Sequence, residues 1–428
     1  MRKNIRFWPF APLPASLALG MRSRRVIVVG GGAAGFFAAI TCAEALPGAE
    51  VTVLEKGARF LGKVLISGGG RCNVTNGRFD SGALTEYYPR GARALLGPCR
   101  RFEAADTIAW FEARGVKLKM ERDGRMFPIT DSSQTIVDCL MRAAFAAGVT
   151  LQTGCDVTSA ARLPDGSFAL TLANGQTMAC DRLLLATGGC RGVEAGALAA
   201  SLGHSLAPIA PSLFTFHIET PWLRALSGVS VEQVTASIPG TDLRETGPIL
   251  LTHWGVSGPV ILRLSAWGAR RLQELNYQFI LRLNWLPGLT LEEIEAALRQ
   301  RRESDPARLL VNAPIAPLPA RLWERLVLAL DIPRDLRCAD LSRAASHALL
   351  QQLTRHEFKV TGKSLNKDEF VTCGGVRLNE VNFQTMESRV CPGLYFAGEL
   401  LDIDGVTGGY NFQAAWTTGW IAGHAMAS

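Results

Sequence analysis

Arg25-Val26-Ile27-Val28-Val29-Gly30-Gly31-Gly32-Ala33-Ala34-Gly35 decides the fold of this chain. The apolar, β-branched run Val26–Val29 reads as a buried parallel strand, because a strand covered on both faces has no need of alternating polar residues. Three glycines in G-x-G-x-x-G spacing follow at once, and a small-residue helix runs on to about Leu46. Val51-Thr52-Val53-Leu54 is the next strand, ended by Glu55 twenty positions after Gly35. Gly30 permits the tight strand-to-helix turn, Gly32 lets a pyrophosphate approach the backbone, and Gly35 lets helix and strand pack closely. The amides of Ala33 and Ala34 open the helix and face the phosphates, while Glu55 accepts the hydroxyls of an adenosine ribose. This is a dinucleotide-binding βαβ unit.

Working outward, Ala104–Arg114 and Ser132–Ala147 read as amphipathic helices, the second opened by a serine cap, with a hairpin around Glu121-Arg122-Asp123-Gly124. Val149–Ala186 reads as a strand followed by a β-meander turning at Asp165-Gly166 and Asn174-Gly175. Beyond Gly192 the character changes. Residues 205–250 suggest a small antiparallel sheet, and residues 259–353 suggest helices, one opened by the capping box Thr290–Glu293. Strands return near His356–Thr361, Phe370–Thr372 and Gly393–Ala397, followed by a terminal helix. The reading is an α/β nucleotide-binding domain of residues 21–192 and 371–428, split by an inserted β-rich and helical domain of residues 193–370.

The 428 residues carry a formal charge of +7, but Arg2, Lys3, Arg6, Arg22, Arg24 and Arg25 contribute six of those charges, leaving +1 for residues 26–428. No phosphate-tracking stripe is visible, so nucleic acid is not the expected partner. No apolar stretch reaches the ~18 residues of a membrane span. Residues 1–20, broken by Pro9, Pro12 and Pro14 and followed by Met21, read as a misassigned start or a disordered extension rather than a secretory signal. Ten cysteines without a C-x-x-C pair and six scattered histidines argue against a dithiol reductase and a metal site, and a reducing cytoplasm fits.

Three further segments carry chemistry. In Lys63-Val64-Leu65-Ile66-Ser67-Gly68-Gly69-Gly70-Arg71-Cys72-Asn73, consecutive glycines expose backbone amides, Arg71 supplies positive charge, and Lys63 and Ser67 add donors. Cys72 lacks a neighbouring resolving thiol, so packing or hydrogen bonding suits it better than redox. Ala186-Thr187-Gly188-Gly189 ends a strand in a second glycine turn. Gly398-Glu399, Asp402 and Gly408-Gly409-Tyr410-Asn411-Phe412-Gln413 place acids where a polyhydroxyl chain would lie and aim a helix N-terminus at partial negative charge. Gly419 and Gly423 on that helix read as packing positions.

G-G-G-A-A-G, I-S-G-G-G-R-C-N-V-T-N, L-A-T-G-G, T-H-W-G-V-S-G-P, T-C-G-G-V and A-G-E-L-L-D-I-D-G-V-T-G-G-Y-N-F-Q-A-A-W, in that order, resemble the BaiN/YhiN-type flavoprotein family from about Arg25 to the C-terminus. The resemblance implies a Rossmann-like, glutathione-reductase-type FAD domain with a β-meander, and an NAD(P)/FAD-dependent oxidoreductase. It implies that Gly30, Gly32, Gly35 and Glu55 hold the ADP half, and that Asp156 and Val157 meet the adenine through backbone. The Ser67–Asn73 loop, with Ser67, Gly68, Gly69, Arg71, Cys72 and Asn73, and the Gly398–Gln413 region, with Gly398, Glu399, Asp402, Gly409, Tyr410, Asn411 and Gln413, would embrace the ribityl chain and ring. Ala33, Ala34, Lys56, Lys63, Thr187, Gly188 and Gly189 are further candidate cofactor contacts. Residues 1–20 have no family counterpart, and Lys63-Val64 stands where the family carries a more basic pair.

With one nucleotide fingerprint, FAD takes the site and NAD(P)H docks transiently as donor. The expected reaction is hydride transfer through flavin N5 to or from a small organic substrate. His253, Trp254 and Ser257 are candidates for the substrate wall, and Tyr410 for a proton donor, although no catalytic acid or base is assigned. A tRNA-modifying flavoenzyme and a non-catalytic FAD-holding redox partner are the alternatives. The sequence does not settle the oligomeric state.

Overall fold

The computed structural model describes residues 23–190, 196–364 and 371–428. The reading of residues 1–20, and both domain boundaries, at 192/193 and 370/371, lie outside the described residues. A seven-stranded sheet runs in the order Val381–Asn382, Glu387–Ser388, Leu394–Phe396, Arg182–Leu185, Arg25–Val29, Glu50–Glu55, Thr150–Thr153. The last five strands in that order are parallel, with Val26 between Val51 and Arg182 in register. Val26–Val29 are buried within the large apolar cluster, as a β-branched run without polar alternation requires. The meander is present as Val157–Arg162, Phe168–Leu172 and Thr177–Cys180. Gly166 and Gly175 sit at left-handed φ of 87° and 81° in its turns, as the sequence requires.

Helix Ser133–Ala146 begins where expected, but Ser132 makes no capping bond. Instead Ser133 Oγ donates to the Leu65 carbonyl, and Asp131 is held by Lys119 and Arg71. The capping box at Thr290–Glu293 forms with both of its bonds, at 3.2 and 2.8 Å.

Leu206–Ser212 pairs antiparallel with Val371–Val376, and these two strands carry the chain between the Rossmann layers and a closed six-stranded barrel. The barrel order is Thr215–Ile218, Gly255–Ser257, Arg244–Thr252, Ser230–Ser237, Phe279–Asn284, His356–Ser364. The stretch expected as a small antiparallel sheet supplies three of the barrel's strands, and residues 259–353, expected as helical, supply another. Phe279–Asn284 lies between helices in sequence and closes the barrel by pairing with both Ser230–Ser237 and His356–Ser364. Leu281 and Leu283 point inward while Ile280 is exposed, so a short alternating strand was hidden between helical patterns. Buried apolar residues form separate clusters, a large one around the Rossmann sheet and another between Phe214 and Val360.

His356, at the start of the last barrel strand, accepts a hydrogen bond at Nδ1 from Trp285 Nε1 (3.2 Å). Burial pushes its imidazole down to about 4 from an ordinary 6.5. The unfolded chain therefore binds this proton first, and folding stability is full above pH 6.5 and falls as the pH drops toward 4. The loss is about 3 kcal/mol over that window. Urea midpoints measured from pH 7 to pH 4 should fall accordingly, and His356→Gln should flatten that slope; an unchanged slope would refute the assignment.

Candidate functional site

The site lies along the carboxyl ends of the central parallel strands, where an open α/β sheet leaves a crevice. Gly30 sits at φ 113°, and a Cβ there would stand 2.2 Å from the Ala186 carbonyl oxygen; at Gly35 it would stand 2.0 Å from the Gly30 oxygen. At Gly32 a Cβ would meet no protein atom within 4 Å. Tight turn, open approach and close packing thus fall on Gly30, Gly32 and Gly35 in that order. Gly32 is the N-cap of helix Ala33–Ala45, with no capping side chain and no acid in the first turn, so the amides of Ala33, Ala34 and Gly35 are available to an anion.

Glu55 accepts from Gly31 N (2.9 Å) and Gly57 N (2.7 Å), which fixes its carboxylate beside the glycine turn. Cys155 N donates to the Glu55 carbonyl at 2.9 Å, and Asp156 O accepts from Ala173 N at 2.8 Å. The Asp156-Val157 step therefore leaves from beside Glu55, with Val157 buried in the meander. Lys56 is exposed.

A second convergence joins four distant segments. The Lys63 ammonium pairs with the Glu399 carboxylate, whose Oε1 accepts from Thr372 N at 2.9 Å. A Cβ on Gly189 would stand 2.4 Å from Thr372 Oγ1 and 2.5 Å from Glu399 Oε1, so only glycine passes here. Thr372 Oγ1 is buried without a protein partner, an orphaned polar atom beside the crevice. Thr187 is exposed and Gly188 has open space at its α-carbon.

The Gly62–Gly70 segment is helical, kinked at Ser67–Gly69, and its Gly69 and Gly70 open onto free space. Gly68 is closed in by Asn73 N at 3.1 Å. Ser67 Oγ donates to Val64 O (2.8 Å). Arg71 does not present a free charge: it pairs with Glu121 (2.8 Å) and Asp131 (3.5 Å) and lies 4.0 Å over the Phe127 ring. Cys72 is fully buried, and burial pushes its thiol up to about 12, which leaves it an inert packing residue. The Asn73 amide donates to Thr75 O (3.0 Å) and accepts from Gly409 N (2.9 Å).

That contact holds the start of the C-terminal helix, Tyr410–Ala427, whose N-cap Gly409 also lacks a capping side chain. Gly409 has φ 93°, with a would-be Cβ 2.5 Å from the Thr75 backbone. The side chains of Asn411 and Gln413 are committed inside the chain. Asn411 accepts from Gly405 N and donates to Gly405 O, both at 2.8 Å. Buried Gln413 accepts from Thr75 (2.6 Å) and Thr107 (2.9 Å) and donates to Thr417 (3.0 Å). They brace the loop, so any ligand contact there comes from backbone. Asp402 is likewise spent on Arg270 (2.8 Å). Tyr410 stacks on Tyr87 (centroids 4.7 Å), accepts from Arg78 Nε (3.3 Å), and is pushed up to about 12 by burial, so it keeps its proton at neutral pH.

The two uncapped helices run side by side. A Cβ on Gly419 would meet Ala34 O at 2.6 Å, one on Gly423 would meet Ala38 O at 2.6 Å, and one on Gly398 would meet Ala34 Cβ at 2.8 Å. Because Ala34 lies against Gly419 and Ala38 against Gly423, the helices are parallel. The N-terminus at Gly409 lies ten residues before Gly419, while Gly32 lies two before Ala34, so the Gly409 end projects eight residues, about 12 Å, beyond the N-terminus at Gly32. A pyrophosphate at one end and a partly negative ring edge at the other are separated on this scale in an extended dinucleotide, and FAD fits the cradle.

His253 and Trp254 form the turn between two barrel strands, edge to face at 4.2 Å, and Trp254 is 39% exposed. Ser257 ends the following strand. Sequence reasoning missed Arg78, Tyr87, Arg90, Arg270, Thr372 and Asp404. None has a local spacing signal, and only Thr372 and Asp404 fall inside quoted motifs. No group of three or more His, Cys, Asp or Glu suited to a metal exists among the described residues, and none of their helices is long and apolar enough to cross a membrane.

Residues 24–425 match the family described as HI0933-like protein Rossmann domain. The chain is 35% identical to a ribosomal RNA dihydrouridine synthase of Escherichia coli K12 over 404 residues, 92% of this chain and 96% of that one. It is 30% identical to a 3-dehydro-bile acid delta(4,6)-reductase of Clostridium scindens over 411 residues, 94% and 99% of the two chains. Among solved structures, the 3-ketosteroid-delta4-(5alpha)-dehydrogenase of Rhodococcus jostii RHA1 shares the fold, with a TM-score of 0.50 at 15% identity, covering 98% of this chain and 100% of that one. The chain belongs to the HI0933-like Rossmann family.

Proposed function

We propose that this chain is a FAD-dependent oxidoreductase that saturates a carbon–carbon double bond conjugated with a carbonyl group, with NAD(P)H as a transient donor. The observation that carries the reading is the pair of parallel, uncapped helix N-termini offset by about 12 Å. Bound FAD would supply two-electron redox chemistry at its ring. The chain's own part is to bind and orient: Ala33–Gly35 amides on the pyrophosphate, Glu55 on the ribose, the Gly409 helix start on the ring edge. Tyr410, kept protonated, is the candidate donor to a substrate oxygen or carbon.

Two relatives' names describe saturation of a conjugated double bond. A delta(4,6)-reductase acts on a dienone, and dihydrouridine arises from uridine by reduction of the C5–C6 bond next to the C4 carbonyl. The 35% relative favours uridine in ribosomal RNA as the substrate. The near-neutral charge of residues 26–428 limits how many phosphates the protein contacts, not which base it receives.

Anaerobic flavin absorbance of the purified protein, mixed separately with NADH and NADPH, tests the donor: bleaching of the oxidised band is expected with one of them. The reduced protein is then given ribosomal RNA free of dihydrouridine, or a 3-oxo-4,6-diene steroid. A two-dalton gain on a uridine supports the RNA substrate; turnover of the steroid alone replaces it with a small enone. Bleaching with neither donor and reoxidation by neither substrate would overturn the reading.

A further inference from the structure

A cavity of about 580 Å³ opens on the barrel, far from the Rossmann crevice. It is lined by Trp222 beside Thr220, by Gln351 and Gln352 from helix Arg343–Thr354, and by Arg355 and His356 where the last barrel strand begins. That strand ends at Ser364, paired with Thr215 just after the connecting strand, so the crevice side of the barrel is its Ser364 end. Eight strand steps, about 27 Å, separate His356 from Ser364. A single nicotinamide dinucleotide at the flavin would not reach the cavity, so its occupant belongs to a larger molecule or binds by itself.

The lining has the chemistry of a base-binding pocket. Trp222 and His356 stack with centroids 5.7 Å apart and planes 21° apart, and Phe358 lies against the His356 ring with centroids 4.0 Å apart. Trp222 is half-buried, leaving indole surface toward the cavity. With Nδ1 accepting from Trp285, the proton of the neutral His356 ring sits on Nε2, a single fixed donor. Gln351 and Gln352 add carboxamides that both donate and accept, as the edge of a nucleobase requires, and exposed Arg355 supplies charge for a phosphate.

We propose that this cavity holds one unstacked base of the RNA substrate, anchoring the RNA on the barrel while another part of it enters the crevice. The proposal rests on the ribosomal-RNA reading above. Stacking of one base on an aromatic ring and one phosphate contact together place the occupant in the class of single-stranded nucleotides.

The test uses the FAD-loaded full chain and a fluorescently labelled single-stranded oligouridylate, with anisotropy read at several salt concentrations. Trp222→Ala should weaken binding about tenfold with little change in the salt slope, since stacking releases no counterions. Arg355→Ala, at an exposed position, should weaken binding and lower the salt slope by about 0.7. The flavin spectrum reports that each variant is folded. Wild-type affinity in both folded variants overturns the pocket while leaving the RNA substrate standing. Trp222-dependent binding of uridine monophosphate as tight as that of the oligonucleotide overturns RNA anchoring in favour of a free-nucleotide site. No RNA binding by the wild type, together with steroid turnover, removes the substrate reading and the pocket with it.

Discussion

Replacing Gly419 by valine is expected to cost about 3 kcal/mol of stability and to yield protein that no longer retains flavin. A Cβ there would stand 2.6 Å from Ala34 O and 3.3 Å from Ala38 N, both backbone atoms that no rotamer change can move. The two parallel helices must separate, and the separation acts at Ala34, in the uncapped first turn proposed to receive the pyrophosphate. Denaturant midpoints and the ratio of flavin to protein absorbance read both effects. Gly97→Ala is the control: it lies inside helix Ala92–Arg101 with no atom within 4 Å of its would-be Cβ beyond its own helix backbone and chain neighbours. That change should stay within about 1 kcal/mol of the wild type, since the helix propensity gained is offset by the contact of the new Cβ with the ring of Pro98. Comparable behaviour of the two variants would refute the close-packed seam.

Asp404→Ala is expected to destabilise the protein by about 3–5 kcal/mol, because it strands a buried guanidinium. Asp404 is fully buried and accepts from Nε and Nη2 of Arg90, whose side chain is 12% exposed, and from Ser212 Oγ at 2.9 Å. Arg90 also donates to Ala266 O at 2.6 Å, at the end of a barrel helix. Removing the carboxylate leaves the charge in a site that burial makes hostile to charge; that same burial raises the Asp404 carboxyl above its ordinary range. The double variant Asp404→Leu with Arg90→Met should recover most of the loss, since neither charge is then left alone. A single variant as stable as the wild type would show that the pair carries no weight. Because Asp404 sits five residues before Gly409, FAD affinity measured on the same variants reports whether the bridge also sets the loop under the C-terminal helix.

The nucleotide site was legible because its parts are local. Gly35 answers to the Gly30 carbonyl and Glu55 to the Gly31 amide, all within one βαβ unit, so spacing fixes that geometry; Gly30 alone also answers to a later strand, at the Ala186 carbonyl. Gly419 and Gly423 were readable as packing positions for the same reason, small residues one helical turn apart. Asn411, Gln413, Asp402 and Arg71 were not legible in role. Each looks like a ligand group in sequence, yet each is spent on a partner that tertiary structure brings: Gly405, Thr75 and Thr107, Arg270, and Glu121. A polar side chain's type is written in the chain, but its partner is chosen by folding.

The sequence by itself determined the parallel Rossmann sheet, the meander and the glycine turns, since these follow from hydrophobic runs and backbone conformations set by neighbours. Only the tertiary structure decided that the inserted residues close a six-stranded barrel, and that Thr372, Glu399, Lys63 and Gly189 meet at one point. Barrel closure depends on Phe279–Asn284 pairing with strands about 40 residues before and 80 residues after it, and loop-closure entropy grows too slowly with length for sequence distance to forbid or reveal such a pairing.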